Sequence, residues 1–292
     1  MKKLFFFILM LPVYLQGQDF TDYQYGKYRQ QNSTLQYRIL YPQQFDTSKS
    51  YPVIVFLHGA FEKGDDNETQ LRIGGLFFLR PENRLNFPAI IIFPQCPGDQ
   101  LWADFDIQLD SITGLAKRWY FPFRRNPTTP VALLKALLDS LGTRSFVNKS
   151  KIYIGGLSQG GMGVYDMVAR YPGMFAAAFP ICGAGLVNTS KNFAGKVAMW
   201  IFHGEKDDIV PPRFSRDFYS RLTKLKSDVR YTEYPGVYHN SWVNAFAEKE
   251  LLSWLFSKSK HNNSVRRQTQ KFPYLELLTT DYDDWSFKGN IP

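Results

Sequence analysis

The chain has 292 residues, enough for one large α/β domain with a substantial core or for two small ones, and its middle carries no low-complexity linker that would favour two. Hydrophobic residues make up 44% and aromatic residues 16%, which excludes general disorder and suits a globular enzyme with an aromatic-lined cleft. The net charge of +9 comes from Lys and Arg spread along the chain without a dense block or a nucleic-acid-binding motif, which argues against nucleic acid as a partner and leaves weak attraction to acidic surfaces or polysaccharides.

In chain order, residues 1–17 come first and stand apart. Lys2 and Lys3 form a positive start, Leu4 to Leu15 is an apolar run too short to span a bilayer comfortably, and Leu15-Gln16-Gly17 is a passable small-residue cleavage site. We expect a signal peptide cut near Gln18, in preference to a buried N-terminal strand or an uncleaved anchor. The mature protein is then secreted or periplasmic. No cysteine follows the apolar run to carry a lipid, so no stable membrane anchor is expected after cleavage.

Asp19 to Gln31 is polar and tyrosine-rich. Leu35 to Tyr41 alternates like an edge strand, and Pro42 to Tyr51 is a turn region. Pro52 to Leu57 is a continuous apolar run of the kind buried on both faces of a parallel sheet, and it opens into a loop from His58 to Asn67. Such a loop at the end of a central strand can bring a backbone amide, that of Ala60 or failing that Phe61, beside a nucleophile. His58 is expected to fix the loop by hydrogen bonding. Pro88 to Phe93 is the next buried strand. Gly98 to Pro130 is long, irregular and rich in aromatics (Trp102, Trp119, Phe121, Phe123), which could stack on a sugar or aryl acyl group or pack the insertion onto the body.

Val131 to Leu141 has the apolar stripe of a helix, with Leu133, Leu134, Leu137 and Leu138 buried. Lys151 to Ile154 then reads as a buried strand and Met162 to Arg170 as a helix, with Gly156-Leu157-Ser158-Gln159-Gly160 between them. A serine on such a turn is forced into a strained conformation that exposes its hydroxyl above the sheet. The flanking glycines leave room for close backbone approach, and the Gln159 N–H at the helix start is aimed where an oxyanion would form. Phe175 to Ile181, Val197 to Phe202 and Val229 to Tyr234 complete the strands, with helices expected from Pro212 to Leu225 and from Val243 to Phe256. Ser257 to Lys271 has the composition of a solvated linker, and residues 272–292 regain aromatics and leucine, as if packing back on the domain.

An order of nucleophile, acid and base leaves His239 and His261 as bases among the four histidines, and His261 lies in the polar linker. His239 follows the last strand at the same sheet edge as Ser158. Asp207 and Asp208 compete for the acid. The spacing His-Gly-x-x-Asp-x-x-Val-Pro points Asp207 toward the histidine, while Asp208 is better placed to cap the turn before Pro211, and His203 anchors the strand end. Ser158, His239 and Asp207 with the amides of Gln159 and Ala60 fit acyl transfer without a cofactor or a metal.

These segments resemble the α/β-hydrolases, and among them secreted esterases related to polyhydroxybutyrate depolymerases, feruloyl and acetylxylan esterases, and the phospholipase/carboxylesterase-like group often called predicted peptidases. The resemblance rests on Leu57-His58-Gly59, Gly64-Asp65-Asp66-Asn67, Phe93-Pro94-Gln95-Cys96-Pro97, Gly156 to Gly161, His203 to Pro211, and Tyr234-Pro235-Gly236 with His239-Asn240-Ser241-Trp242. It implies an α/β-hydrolase fold over residues 18–256, with a mostly parallel eight-stranded sheet and helices on both faces. In that strand order Cys96 and Cys182 are separated by two intervening strands, on the order of 14 Å, beyond the roughly 7 Å a disulfide permits, so two buried free thiols are expected.

The expected function is a serine esterase acting on a small-molecule or polysaccharide ester, with acyl or feruloyl groups as the leading class and Trp102 and Trp242 as substrate-binding residues. A prolyl-oligopeptidase-like peptidase and a catalytically silent carbohydrate-binding module are the alternatives.

Overall fold

A computed structural model describes residues 19–109, 111 and 116–260. The expected signal peptide, His261, most of the polar linker and residues 272–292 lie outside the described residues. The strands are β1 (Gln24–Gln30), β2 (Ser33–Leu40), β3 (Tyr51–Leu57), β4 (Ile90–Gln95), β5 (Asp106–Leu109), β6 (Ala116–Tyr120), β7 (Val147–Leu157), β8 (Ala177–Ile181), β9 (Ala198–Gly204) and β10 (Val229–Tyr234). The helices are α1 (Gly75–Leu79), α2 (Pro81–Asn86), α3 (Thr129–Gly142), α4 (Gln159–Arg170), α5 (Ser190–Phe193), α6 (Arg213–Lys224), α7 (Trp242–Ala245) and α8 (Leu251–Ser257).

Eight strands form one sheet in the order β1-β2-β4-β3-β7-β8-β9-β10. The β1–β2 and β2–β4 pairs are antiparallel and the rest parallel, so the mostly parallel eight-stranded sheet is as expected. In β3, Val53, Val55 and Leu57 enter the core under α3, α4 and α6, while Ile54 and Phe56 enter the opposite core under α1 and α8. Side chains alternate between faces, so a strand covered on both must be apolar at every position. This is why β3, β4 and β9 stand out in the sequence.

Four departures from expectation have local causes. The polar segment before Gln31 forms β1, which turns into β2 through Gln31 at φ 53°, so β1 rather than β2 is the sheet edge. The insertion contains the β5–β6 hairpin, and Trp119 of β6 and Phe121 just after it are buried against Met162, Val210 and Phe214. The expected helix from Val243 to Phe256 is two helices, because Phe246 inserts between Phe56 and Phe77 with ring centroids 5.4 and 4.9 Å away, and Glu248 turns to accept the Tyr234 hydroxyl. Ser257 closes α8 instead of opening the linker, and the Lys260 N–H donates to Ser150 O, so the described chain stays on the body to residue 260.

His58, at the end of β3, has no exposed surface. Its Nδ1–H donates to Gly59 O at 2.7 Å and its Nε2 accepts the Cys96 N–H at 2.9 Å, which ties the ends of β3 and β4 together. Burial pushes its pKa down from 6.5 to about 4, against the smaller opposing effect of the Gly59 bond. Between those values the unfolded chain takes up a proton that the native one refuses. The stability His58 contributes is therefore complete above pH 6.5 and falls as pH drops toward 4, by on the order of 3 kcal/mol. Urea unfolding of wild type and His58→Gln across this window checks it: the wild type is expected to lose stability more steeply as pH falls, and parallel curves would refute it.

Candidate active site

Ser158 sits between β7 and α4 with φ 53° and ψ −120°. A non-glycine residue is held there only when its surroundings over-determine it. Its N–H donates to Ile181 O at 2.9 Å, and its carbonyl accepts the Met162 N–H at 3.0 Å. The flanking glycines are required by contact. A Cβ on Gly160 would lie 2.1 Å from Leu57 O, and one on Gly156 would lie 2.6 Å from Gly160 O. Backbone cannot yield to either, so the end of β3 and the first turn of α4 touch directly beneath the serine.

The acid and base loops are stitched together the same way. A Cβ on Gly204 would lie 2.2 Å from Tyr238 O. The Glu205 N–H donates to Tyr234 O and the Lys206 N–H to Val237 O at 3.0 and 2.9 Å, while Glu205 Oε2 accepts the Gly236 N–H at 2.8 Å. With the loops in register, His239 Nδ1 donates to Asp207 Oδ2 at 2.8 Å and His239 Nε2 lies 3.0 Å from Ser158 Oγ. The structure thus brings Ser158, His239 and Asp207, residues 81 and 32 positions from one another through His239, into one hydrogen-bonded chain.

Asp207 divides its two oxygens. Oδ1 accepts the N–H groups of Ile209 and Val210 at 3.0 and 2.9 Å, so the turn before Pro211 is capped by Asp207 and not by Asp208, which is exposed. Oδ2 faces His239 and also lies 3.1 Å from His203 Nε2, whose N–H reaches Val210 O at 2.8 Å. Burial would push this carboxyl up, but the bonds from His203, His239 and Val210 outweigh it and hold it well below the usual carboxylate range. The group is therefore an anion. His203 keeps the anchoring place expected of it, bonded through Nδ1 to Ser215 Oγ at 2.7 Å.

Ala60 opens a short 3₁₀ turn, Ala60–Glu62, and Gln159 opens α4. The first N–H groups of a helical segment have no partner within it. A Cβ on Gly59 would lie 3.8 Å from Ser158 Cβ, which puts the Ala60 loop against the nucleophile turn. The loop is held from behind: Gln95 donates to Asp66 Oδ1 at 2.7 Å and accepts the Asn67 N–H at 2.7 Å. The Gly64 to Asn67 and Phe93 to Pro97 segments therefore build the loop.

The two tryptophans part ways. Trp102 has no exposed surface, because Gly163 admits it against α4 and His58 meets it edge-to-face with ring centroids 5.4 Å apart. It is a core residue, and the expectation that it lines the substrate site is corrected. Trp242 is half-buried and stands edge-on to the His239 ring at 5.6 Å. Cys96 and Cys182 are buried and unbridged, on β4 and β8 with two strands between them.

Three features escaped the sequence. Glu62 is buried within the Ala60 turn, Cys182 lies beside Asp207 and His239, and Phe61, Ile209 and Tyr238 are exposed beside Ala60, Asp207 and His239. A charged residue inside a glycine-bearing loop was the one available signal for the first. The second depends on strand order, and the third on exposure.

The phospholipase/carboxylesterase family profile matches residues 44–251, which include every group of this site. The chain is similar to a poly(3-hydroxyoctanoate) depolymerase of Pseudomonas fluorescens, 25% identical over 217 residues that cover 70% of this chain and 73% of that protein. It is also similar to lysophospholipase-like protein 1 of Mus musculus, 23% identical over 73% of this chain and 89% of the relative. Among solved structures, a thermostable esterase superposes with a TM-score of 0.72 at 30% identity, over 82% of this chain and 64% of that one, so this chain spans somewhat under two thirds of that esterase's length. With 208 of its 292 residues inside the profile, the chain belongs to the phospholipase/carboxylesterase family of α/β-hydrolases.

Proposed function

We propose that the protein is an exported serine hydrolase that cleaves carboxylic esters through Ser158, His239 and Asp207, with an acyl or feruloyl group on a polysaccharide as its substrate. The observation that carries this reading is the unbroken chain from Asp207 Oδ2 through the imidazole to Ser158 Oγ, at 2.8 and 3.0 Å. Asp207 holds the Nδ1–H tautomer, which leaves the Nε2 lone pair to take the serine proton as Oγ attacks the ester carbonyl. The carboxylate stabilises the imidazolium so formed, and the N–H groups of Gln159 and Ala60 bind the oxyanion. The imidazolium then gives its proton to the departing alcohol oxygen, and a water activated by the same Nε2 releases the acid.

Support for an aryl or apolar acyl group comes from the rim. Phe61 is 88% exposed and Ile209 and Tyr238 are 55% exposed, each within two residues of Ala60, Asp207 or His239. Large apolar side chains left in water on the three loops that carry Ala60, Asp207 and His239 support a binding surface there. The insertion supplies less, since Trp119 and Phe121 are buried in packing. The leader-like residues 1–17 support export, and the positive charge supports an acidic polysaccharide as leaving group.

Ser158→Ala is expected to abolish hydrolysis of short aryl esters. If wild type and Ser158→Ala are equally inert while glycan binding persists, a silent binding module replaces the hydrolase. Asp207→Ala is expected to lower kcat about 10⁴-fold and Asp208→Ala far less; the opposite ranking identifies Asp208 as the acid. Phe61→Ala is expected to raise KM for methyl ferulate about tenfold with little change in kcat, as loss of uniform binding requires. Methyl ferulate and acetylated xylan against a proline-containing chromogenic peptide test the substrate class, and turnover of the peptide alone overturns it.

A further inference from the structure

We infer that Cys182 Sγ, the Asp207 carboxylate and His239 Nδ1 form a binding site for a thiophilic divalent cation, zinc foremost, and that filling it switches the hydrolase off. Binding rests on the donors alone; the switch rests on the triad proposed above.

The three donor atoms lie within 4.8 Å of one another, and among the described residues this is the one such group of His, Cys, Asp or Glu. They stand at or just beyond the ends of β8, β9 and β10, three consecutive strands of the sheet. Thiolate, imidazole and carboxylate are the donors zinc takes, whereas magnesium and calcium prefer oxygen alone. With zinc bonds of about 2.0–2.3 Å, donors on one ion sit roughly 3.5 Å apart, so Asp207 Oδ2 and His239 Nδ1, 2.8 Å apart across their hydrogen bond, part by somewhat under about 1 Å while Cys182 Sγ closes by up to about 1 Å. Cys182 is held in the left-handed region at φ 41°, its N–H donating to Phe202 O at 2.9 Å, and the esterase mechanism gives its thiol no task. The hydroxyl of Ser241, with no exposed surface, lies beside that thiol without an ordinary hydrogen bond to any described residue, and can contribute a fourth donor. The way in is past His239, whose side chain is 13% exposed.

Charge and protons balance. The thiolate and the carboxylate carry two negative charges, which one divalent cation cancels. The thiol proton leaves to solvent, and the imidazole keeps its single proton by moving it from Nδ1 to Nε2. That N–H then points at Ser158 Oγ, 3.0 Å away, and a donor there cannot accept the serine proton. The cation thereby turns the base into its inactive tautomer.

Titration of the EDTA-treated full chain with Co²⁺ tests binding without reference to activity. Thiolate-to-cobalt charge-transfer absorption and tetrahedral d–d bands are expected in wild type, in Ser158→Ala and in Cys96→Ala, to be lost in Cys182→Ala, and to be bleached by Zn²⁺. For the switch, Zn²⁺ is expected to inhibit aryl ester hydrolysis reversibly by EDTA, and Cys182→Ala to need at least about tenfold more Zn²⁺ to lose half its own uninhibited rate. Absence of a thiolate band in wild type, or its loss in Cys96→Ala, overturns the site. A saturated band with undiminished hydrolysis overturns the switch. An inert wild type that still shows the cobalt bands removes the esterase reading and leaves the cation site standing.

Discussion

The site depends on one close approach, between the carbonyls at the end of β3 and the first turn of α4. Gly160 faces Leu57 O and His58 O at distances that admit no side chain. Because the two backbones touch, the strand that leads into the Ala60 loop and the helix that starts at Gln159 meet beneath Ser158. Ser158 is trapped between them in a conformation it would not choose alone. Strain at one residue is tolerable because the sheet on one side and α4 on the other are both deeply buried, and neither can relax without opening the core.

A second approach, at Gly204, does for the acid and the base what Gly160 does for the nucleophile. The β9 and β10 loops lock by backbone bonds before any side chain enters, and Asp207 then spends one oxygen on its own loop and the other on His239. Stability and chemistry therefore share a residue. An uncapped loop would let the carboxylate wander, and a wandering carboxylate would leave the imidazole free to take either tautomer. Asp207 Oδ2 and His239 Nδ1 are bonded to each other at 2.8 Å, so anything competing for either atom disturbs that pair directly.

How much of this could be read from the chain follows from burial. Strands covered on both faces are apolar at every position, so β3, β4, β8 and β9 were legible, and with them the loops that follow and the order of Ser158, Asp207 and His239. The edge strand β1 was not, because it faces water and carries no apolar alternation. The break between α7 and α8 was not, because the apolar spacing continues through Phe246 even though that ring leaves the helix to join Phe56 and Phe77. Trp102 misled because an aromatic in a long loop looks available, and only the absence of a side chain at Gly163 reveals that the helix surface has a slot for it.

The burial of the insertion moves the question of substrate choice to the rim. Phe105, Trp119 and Phe121 stack on one another and meet α6 through Phe214, so their faces are already taken. What remains in water is on the loops that also carry the reacting groups: Phe61 next to Ala60, Ile209 near Asp207, and Tyr238 next to His239. Such positions are cheap to vary, since none supports the core, yet each stands one or two residues from a group whose placement is fixed by backbone contact. The frame can therefore stay constant while the rim changes, because the exposed side chains of Phe61, Ile209 and Tyr238 bear on neither core nor loop contacts, unlike the buried aromatics of the insertion.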